Sequence, residues 1–163
     1  MRKLVLCLSA IVILLTGCFK KDTECKDDDK AVAPATEEQV VAAYVNSNGI
    51  AAVKHSNNMY YQIITPGAAA KPSACSNVKI NYIGRTTASS TEFDKGTNAA
   101  FALKALISGM KKGIPLIGKG GRIMLYIPPS LGYGPNDVKN GAGQVIIPAN
   151  STLIFDVTLV DHD

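Results

Sequence analysis

The sequence has no tryptophan, and histidine accounts for only 2 of its 163 residues. His55 and His162 lie far apart in the chain, and neither has a second metal-binding residue at the spacing that zinc sites use. Neither histidine lies beside a plausible serine or cysteine nucleophile. The sequence therefore argues against a metal centre and against a Ser-His-Asp or Cys-His active site. We expect no bound metal and no cofactor.

Long apolar runs and a strong excess of charge are lacking as well. The apolar run from Leu4 to Leu15 is too short for a helix that crosses a bilayer, which needs about 20 residues. The formal net charge is +4, and it falls to +2 if residues 1–17, which carry Arg2 and Lys3, are removed. Proteins that bind nucleic acid concentrate lysine and arginine on one face, so this small excess argues against a nucleic-acid partner.

The first residues have the order of a secretory signal: a basic start, a short apolar run and then small residues. Leu15-Thr16-Gly17-Cys18 resembles the lipobox of bacterial lipoproteins. This resemblance implies that residues 1–17 are cleaved as a signal peptide and that Cys18 carries acyl chains such as palmitate. Because each buried CH2 contributes about 0.8 kcal/mol, two or three chains anchor a soluble domain. The alternative is an ordinary signal peptide with an incidental cysteine.

Residues 18–35 are predicted to form a lipidated flexible tether. They are polar and hold too few apolar residues to repay the entropy of ordering. Their lysine- and aspartate-rich run also resembles the surface-export signals of some bacterial lipoproteins. We therefore expect a lipid-anchored protein of the bacterial cell envelope, at the outer membrane, facing the periplasm or the cell surface.

Two cysteines remain once Cys7 leaves with the signal peptide and Cys18 carries lipid. They are Cys25 and Cys75, and an oxidising compartment permits a disulfide between them. The sequence alone cannot bring two thiols within bonding distance, so a disulfide and two free thiols both remain open.

Residues 36–73 are predicted to form a helix and a β-hairpin that extend the main domain. Thr36 and Gln39 have the spacing of a capping box, and apolar residues follow at helical spacing, which predicts a helix over residues 37–47. Two strand-like runs then predict the hairpin: residues 50–54 and 59–65.

Apolar and polar residues alternate in three later segments, which predicts strands with one buried face: residues 78–83, 123–127 and 153–160. Between the first two lies a predicted helix whose apolar face is Leu106, Ile107, Met110 and Ile114. Gly109 and Gly113 make this helix intrinsically weak, so contacts with the sheet must hold it. Strands around one short helix predict an α+β fold.

Five blocks in residues 74–163 resemble, in the same order, the FK506-binding-protein (FKBP) family. They are Val78 to Gly84, Glu92 to Asp94, Phe101 to Gly109, Ile127 to Gly134 and Ile146 to Val157. The resemblance implies a half-barrel, in which a twisted antiparallel sheet wraps around one short helix. It also implies an apolar pocket between sheet and helix, and the activity of a peptidyl-prolyl cis/trans isomerase.

The resemblance assigns site residues to this pocket. The residues with expected catalytic roles are Tyr82, Asp94, Tyr133 and Ile147, and those expected to contact substrate are Phe93, Phe101, Leu106, Ile107, Met110 and Phe155. The backbone N–H of Ile147 and the hydroxyl of Tyr133 are the expected hydrogen-bond donors. Asp94 is expected to orient Tyr82 or to polarise the site rather than to act as a base.

Two residues depart from the family pattern. Met110 stands where the family usually has tryptophan, and Leu131 stands where many members have an aromatic residue. Methionine is smaller and more flexible, so we expect a softer pocket floor and altered affinity for macrolide ligands such as FK506. A reduced rate of catalysis is left open.

The resulting hypothesis is an isomerase that acts on proline-containing peptides and unfolded envelope proteins. The predicted helix at residues 37–47 is too short for the helical dimers of some relatives, so a monomer is expected. A peptide-binding chaperone or adhesion module on the same fold, and a purely structural envelope protein, remain as alternatives.

Overall fold

The computed structural model describes residues 26–163. The predicted signal peptide, the lipidation site Cys18 and Cys25 lie outside the described residues. In chain order the helices and strands are α1 (Ala35–Ser47), β1 (Val53–Lys54), β2 (Tyr60–Thr65), β3 (Asn77–Thr86), β4 (Ser89–Ala102), α2 (Ser108–Gly113), β5 (Arg122–Ile127), β6 (Val138–Lys139), β7 (Val145–Ile147) and β8 (Leu153–His162). Short 3₁₀ turns cover Leu103–Ala105, Ile114–Leu116 and Pro129–Leu131. Within this part of the chain, no helix combines the length and apolar composition that crossing a membrane requires.

Six strands form one antiparallel sheet in the order β1-β2-β5-β8-β3-β4, and β6 pairs with β7 in a separate two-stranded sheet. This antiparallel sheet with one short helix and a further N-terminal helix confirms the predicted α+β fold class. β2 pairs with β5 from Tyr60 opposite Tyr126 to Thr65 opposite Arg122. The predicted hairpin extension is therefore continuous with the sheet. The strands before and after the predicted boundary at residue 73 belong to the same sheet.

The core follows from the alternation in the central strands. The buried residues of β8 are Leu153, Phe155, Val157 and Leu159, and those of β5 that share this core are Ile123, Leu125 and Ile127. The two strands pair directly. Each fully buried side chain of this kind contributes roughly 1.5–3 kcal/mol. The predicted strands and their buried face, called the inner face below, are confirmed.

The inner face carries α2, which is shorter than predicted. Only six residues are α-helical, and the turn that follows continues as 3₁₀ helix. A Cβ atom added to Gly109 would lie 2.5 Å from Cγ2 of Ile127, and one added to Gly113 would collide with Leu125. The two glycines therefore allow α2 to lie directly on β5.

Three strands, β4, β6 and β7, were not predicted by alternation. β4 is 14 residues long, but it is an edge strand and most of its residues are exposed or half-buried. β6 and β7 are only 2 and 3 residues long. Strands without a regular buried face leave no period-two pattern in the sequence.

The opposite face of the sheet, called the outer face below, carries α1. Val41 and Val45 of α1 are buried in a second cluster with Tyr126, whose neighbours Leu125 and Ile127 point to the inner face. The predicted helix is confirmed, but the predicted capping box is wrong. Pro34 occupies the N-cap position and no side chain caps the helix.

The described part of the predicted tether, residues 26–35, packs on the domain, so the prediction of a flexible tether is wrong for these residues. Ala33 is only 2% exposed, and its N–H donates to the carbonyl oxygen of Asn57 over 3.0 Å. Asp27 and Asp29 form ion pairs with lysines of α2. Polar composition did not reveal these specific partners.

Gly109→Ala should destabilise the protein, although alanine is the better helix former by about 1 kcal/mol. The new methyl group would meet the buried side chain of Ile127, and overpacking a filled core costs roughly 1–3 kcal/mol. Gly141→Ala is the control, because no atom lies within 4 Å of a Cβ there. The Gly141→Ala substitution should change the free energy of unfolding by less than ~0.5 kcal/mol. In urea titrations, an unchanged or higher midpoint for Gly109→Ala would contradict this close packing.

Candidate active site

A cavity of about 230 Å³ lies between α2 and the inner face of the sheet. Its lining residues come from β3, β4, α2, β8 and the connecting segments: Tyr82, Asp94, Phe101, Ala105, Leu106, Ile107, Met110, Tyr133 and Phe155. The structure thus brings together all of the predicted site residues except Phe93 and Ile147. Ala105 was not predicted, and its small apolar side chain carries no sequence signal of its own.

A larger cavity, of about 620 Å³, lies elsewhere. Charged residues make up most of its lining, including residues 26–30, Lys104 and Lys111. Such a lining suits water and ions rather than an apolar ligand. The smaller cavity is therefore the better candidate for an active site, because apolar walls with a few polar groups are typical of ligand pockets.

Aromatic rings form one wall of the smaller cavity. Phe155 is 2% exposed and its ring centroid lies 5.6 Å from that of Phe93 and 6.3 Å from that of Tyr82. Tyr82 also contacts Phe101 edge-on at 6.0 Å. Phe93 does not line the cavity but packs behind Phe155 and Tyr133, with its ring 6.4 Å from that of Tyr133. The rings hold one another in fixed orientations.

Gly84 makes room for this arrangement, and sequence reasoning did not identify that role. It lies in β3 between Phe155 of β8 and Asp94 of β4. A Cβ atom at Gly84 would lie 2.7 Å from the ring of Phe93 and 2.9 Å from the ring of Phe155. Any larger residue would therefore force these rings to shift. The signal that could have found it is the Tyr82-Ile83-Gly84 motif itself.

Asp94 and Tyr82 form a hydrogen-bonded pair at the cavity. The Tyr82 hydroxyl donates to Oδ2 of Asp94 over 2.9 Å. Burial, together with the hydrogen bond to Asp94 and its charge, raises the pKa of Tyr82 to about 12. Tyr82 is therefore a neutral phenol at physiological pH, and its hydroxyl is bound to the carboxylate of Asp94.

Tyr133 stands at the cavity with 41% of its surface exposed. Burial and, to a smaller extent, the charge of Asp94 raise the pKa of Tyr133, so its hydroxyl remains protonated. Among the described residues, none accepts a hydrogen bond from this hydroxyl. The Tyr133 O–H is therefore available to a ligand that carries a carbonyl group.

The expected backbone donor, Ile147, lies elsewhere. Ile147 is 2% exposed, belongs to the apolar core and pairs with Val138 in the small sheet. Ile107 lines the cavity instead, at the N-cap position of α2, and its N–H has no acceptor within residues 26–163. Backbone N–H groups at a helix start lack partners in the helix. The donor assigned to Ile147 therefore fits Ile107 better.

The two departures from the family pattern differ in position. Met110 lines the cavity and is almost fully buried. Leu131 is buried in the core and does not line the cavity. Only Met110 can therefore alter the shape that a ligand meets directly.

The histidines lie away from the cavity. Nδ1 of His55 lies 2.7 Å from Oδ1 of Asn57 in the hairpin turn, and His162 lies in the last strand. In residues 26–163 no group of three or more histidine, cysteine or acidic residues has the arrangement of a metal site. Cys75 is disulfide-bonded, but its predicted partner Cys25 lies outside the described residues, so the Cys25–Cys75 pair stays a prediction.

Comparison with known proteins shows which family this chain resembles. Residues 68–160 match the family described as FKBP-type peptidyl-prolyl cis-trans isomerase. The chain is 34% identical to the isomerase FkpA of Aeromonas hydrophila over 143 residues, which are 85% of this chain and 50% of that relative. It is 40% identical to FkpA of Escherichia coli strain K12 over 110 residues, 65% of this chain and 38% of the relative. The chain thus spans about half the length, or less, of these curated relatives.

Solved structures agree. The crystal structure of FkpA from Escherichia coli matches 79% of this chain and 58% of that chain with a TM-score of 0.64 and 34% identity. A peptidyl-prolyl cis-trans isomerase from Pseudomonas syringae matches 80% of this chain and 97% of that chain with a TM-score of 0.65, and at 23% identity it supports the fold alone. The protein belongs to the family of FKBP-type peptidyl-prolyl cis-trans isomerases.

Proposed function

We propose that this chain isomerises peptide bonds that precede proline, and that it does so by non-covalent catalysis in the apolar cavity. The observation that carries the proposal is the cavity of about 230 Å³ with aromatic walls, a phenol free to donate and an unpaired N–H at Ile107 among the described residues. It offers binding without a reactive group. This combination suits a reaction in which no covalent bond breaks.

Rotation about the bond before proline meets a barrier of about 18–20 kcal/mol, because the amide loses resonance when it twists. A catalyst lowers this barrier if it binds the twisted amide more tightly than the planar one. The carbonyl of a twisted amide is less polarised, so it loses less when it leaves water for an apolar pocket. The rings of Tyr82, Phe101 and Phe155 supply that pocket.

The polar groups of the cavity have separate roles in this proposal. The Ile107 N–H and the Tyr133 hydroxyl donate hydrogen bonds to substrate carbonyls and fix the chain around the prolyl ring. Asp94 accepts the hydrogen bond of Tyr82 and so holds the ring of Tyr82 in place. Because this carboxylate is already paired, it serves orientation rather than proton transfer.

Tyr133→Phe should lower kcat/KM by roughly 2- to 13-fold, which corresponds to the loss of one hydrogen bond worth about 0.5–1.5 kcal/mol. The fold should be unaffected, because the lost hydroxyl has no partner among the described residues. Tyr44→Phe, on the outer face, is the control and should retain full activity. Turnover of a proline-containing peptide by residues 19–163, measured by a protease-coupled assay, tests both variants.

The same assay separates the isomerase from a chaperone on the same fold. If the wild-type chain binds the peptide but shows negligible turnover, the function is peptide binding and the proposal fails. Equal activity of Tyr133→Phe and Tyr44→Phe would show that the cavity is not where the reaction occurs.

Activity should stay nearly constant between pH 5 and pH 8. Histidine is the side chain that ordinarily changes charge in this range, and His55 and His162 lie away from the cavity. The raised pKa of Tyr82, about 12, and the raised pKa of Tyr133 keep both phenols neutral throughout. A protease-free assay across this range checks the result, and a steep or bell-shaped profile would indicate a titrating catalytic group.

We further propose that the substrates are proline-containing segments of unfolded envelope proteins, and that macrolides of the FK506 type compete for the cavity. Met110 in the cavity lining should alter macrolide affinity. A monomer is proposed as the active form, and sedimentation equilibrium at micromolar concentration tests it.

The lipid anchor is a separate proposal, supported by the sequence Leu15-Thr16-Gly17-Cys18. In a bacterial host, Cys18→Ser should abolish palmitate labelling and move the protein from the detergent phase to the aqueous phase. Cys7→Ser lies within the predicted signal peptide and should leave both unchanged. Palmitate labelling that survives Cys18→Ser would refute the anchor and, with it, the envelope location derived from the lipobox.

A further inference from the structure

The helix α2 forms a wall of the cavity but has little stability of its own. Ile107, at its N-cap, and Met110 line the cavity. The helix is six residues long, and isolated helices of this length do not form in water. On the side that faces the sheet, Gly109 and Gly113 of α2 pack directly against β5. Its position therefore also depends on what holds the other side.

The acidic segment, residues 27–29, binds that other side. Asp29 Oδ2 lies 2.7 Å from Nζ of Lys111, and Asp27 Oδ2 lies 2.6 Å from Nζ of Lys112. The Asp29 side chain is 9% exposed, whereas that of Asp27 is 54% exposed. Exposed ion pairs contribute little because water screens them, so the Asp29–Lys111 pair carries most of the attachment.

The surroundings of Asp29 favour its charged form. Burial alone would raise its pKa, and it is the largest influence. The ion pair with Lys111, the hydrogen bond from the Ala31 N–H and the nearby Ser108 side chain outweigh it and hold the pKa below its usual value. Lys111 belongs to α2, so this largely buried carboxylate contacts the helix through an ion pair.

The segment is fixed at its other end as well. The Ala33 N–H donates to the carbonyl oxygen of Asn57 over 3.0 Å, and Nδ2 of Asn58 donates to the carbonyl oxygen of Ala33 over 2.8 Å. Both asparagines lie in the turn between β1 and β2. The chain therefore runs from a fixed point on the sheet to α2.

We propose that Asp29 is a positioning residue of the isomerase site, which through Lys111 holds α2 where Ile107 and Met110 complete the cavity wall. The proposal rests on the proposed isomerase function. It assigns a role in the reaction to the N-terminal segment, which lies outside the part of the chain that matches the family, residues 68–160.

Asp29→Asn tests the role, with Asp28→Asn as the matched control. Both variants remove one negative charge from the same segment, but Asp28 is exposed and forms no ion pair with a described residue. Asp29→Asn should lower kcat/KM by roughly 3- to 30-fold, the range for residues that act through neighbours. Asp28→Asn should remain within about twofold. Asp29→Glu keeps the carboxylate and should recover part of the loss.

A second measurement uses NMR to follow Met110, which lines the cavity from α2. The methyl resonance of Met110 should shift or broaden in Asp29→Asn and in Lys111→Gln, and stay unchanged in Asp28→Asn. A general loss of stability would not produce this pattern in the native state, and Lys111→Gln serves if Asp29→Asn fails to fold. Equal kcat/KM for Asp29→Asn and Asp28→Asn, or an unchanged Met110 resonance in both Asp29→Asn and Lys111→Gln, would overturn the proposal. Absence of turnover in the wild-type chain would refute the isomerase function alone, because the Met110 resonance still tests the attachment.

Discussion

The close approach of α2 to β5 is the constraint on which the cavity depends. Gly109 and Gly113 lack side chains where the helix meets Ile127 and Leu125, so the helix rests on the strand itself. A six-residue helix is not stable alone, and this contact therefore decides whether it exists. Gly84 has the same effect on the opposite wall, where its missing side chain leaves space for two rings. Both walls of the cavity therefore depend on glycines, whose missing side chains leave room for close packing.

The chemistry of the cavity follows from this packing. The rings give the cavity apolar walls, and Asp94, the one carboxylate among the lining residues, is bound to the Tyr82 hydroxyl. Burial keeps both phenols protonated. What remains is an apolar space with donors at Tyr133 and Ile107, which can bind a carbonyl and a prolyl ring but cannot attack them. Under the proposed function, such a site acts by changing the relative energies of planar and twisted amides.

Sequence reasoning reached the parts of the fold that have a regular buried face. β5 and β8 alternate because one face is in the core, and the residues of the cavity follow from motifs in the family order. It missed β4, because an edge strand buries little. It expected Ile147 at the cavity, where the structure has Ile107, because a motif identifies a segment but not which of its residues faces a cavity. It predicted a flexible tether for residues 26–35, because composition carries no information about a partner as distant in the sequence as Lys111.

The N-terminal part of the chain belongs to the folded unit in a stronger sense than the family match suggests. That match begins at residue 68, yet β2 is already paired with β5 along its length. On the outer face, Glu37 of α1 accepts hydrogen bonds from the N–H and the hydroxyl of Ser130, in the turn just before Tyr133. On the inner face, Asp29 forms an ion pair with Lys111 of α2. The segment before residue 48 thus contacts the supports of two different cavity walls, so the geometry of the site is a property of the whole described chain.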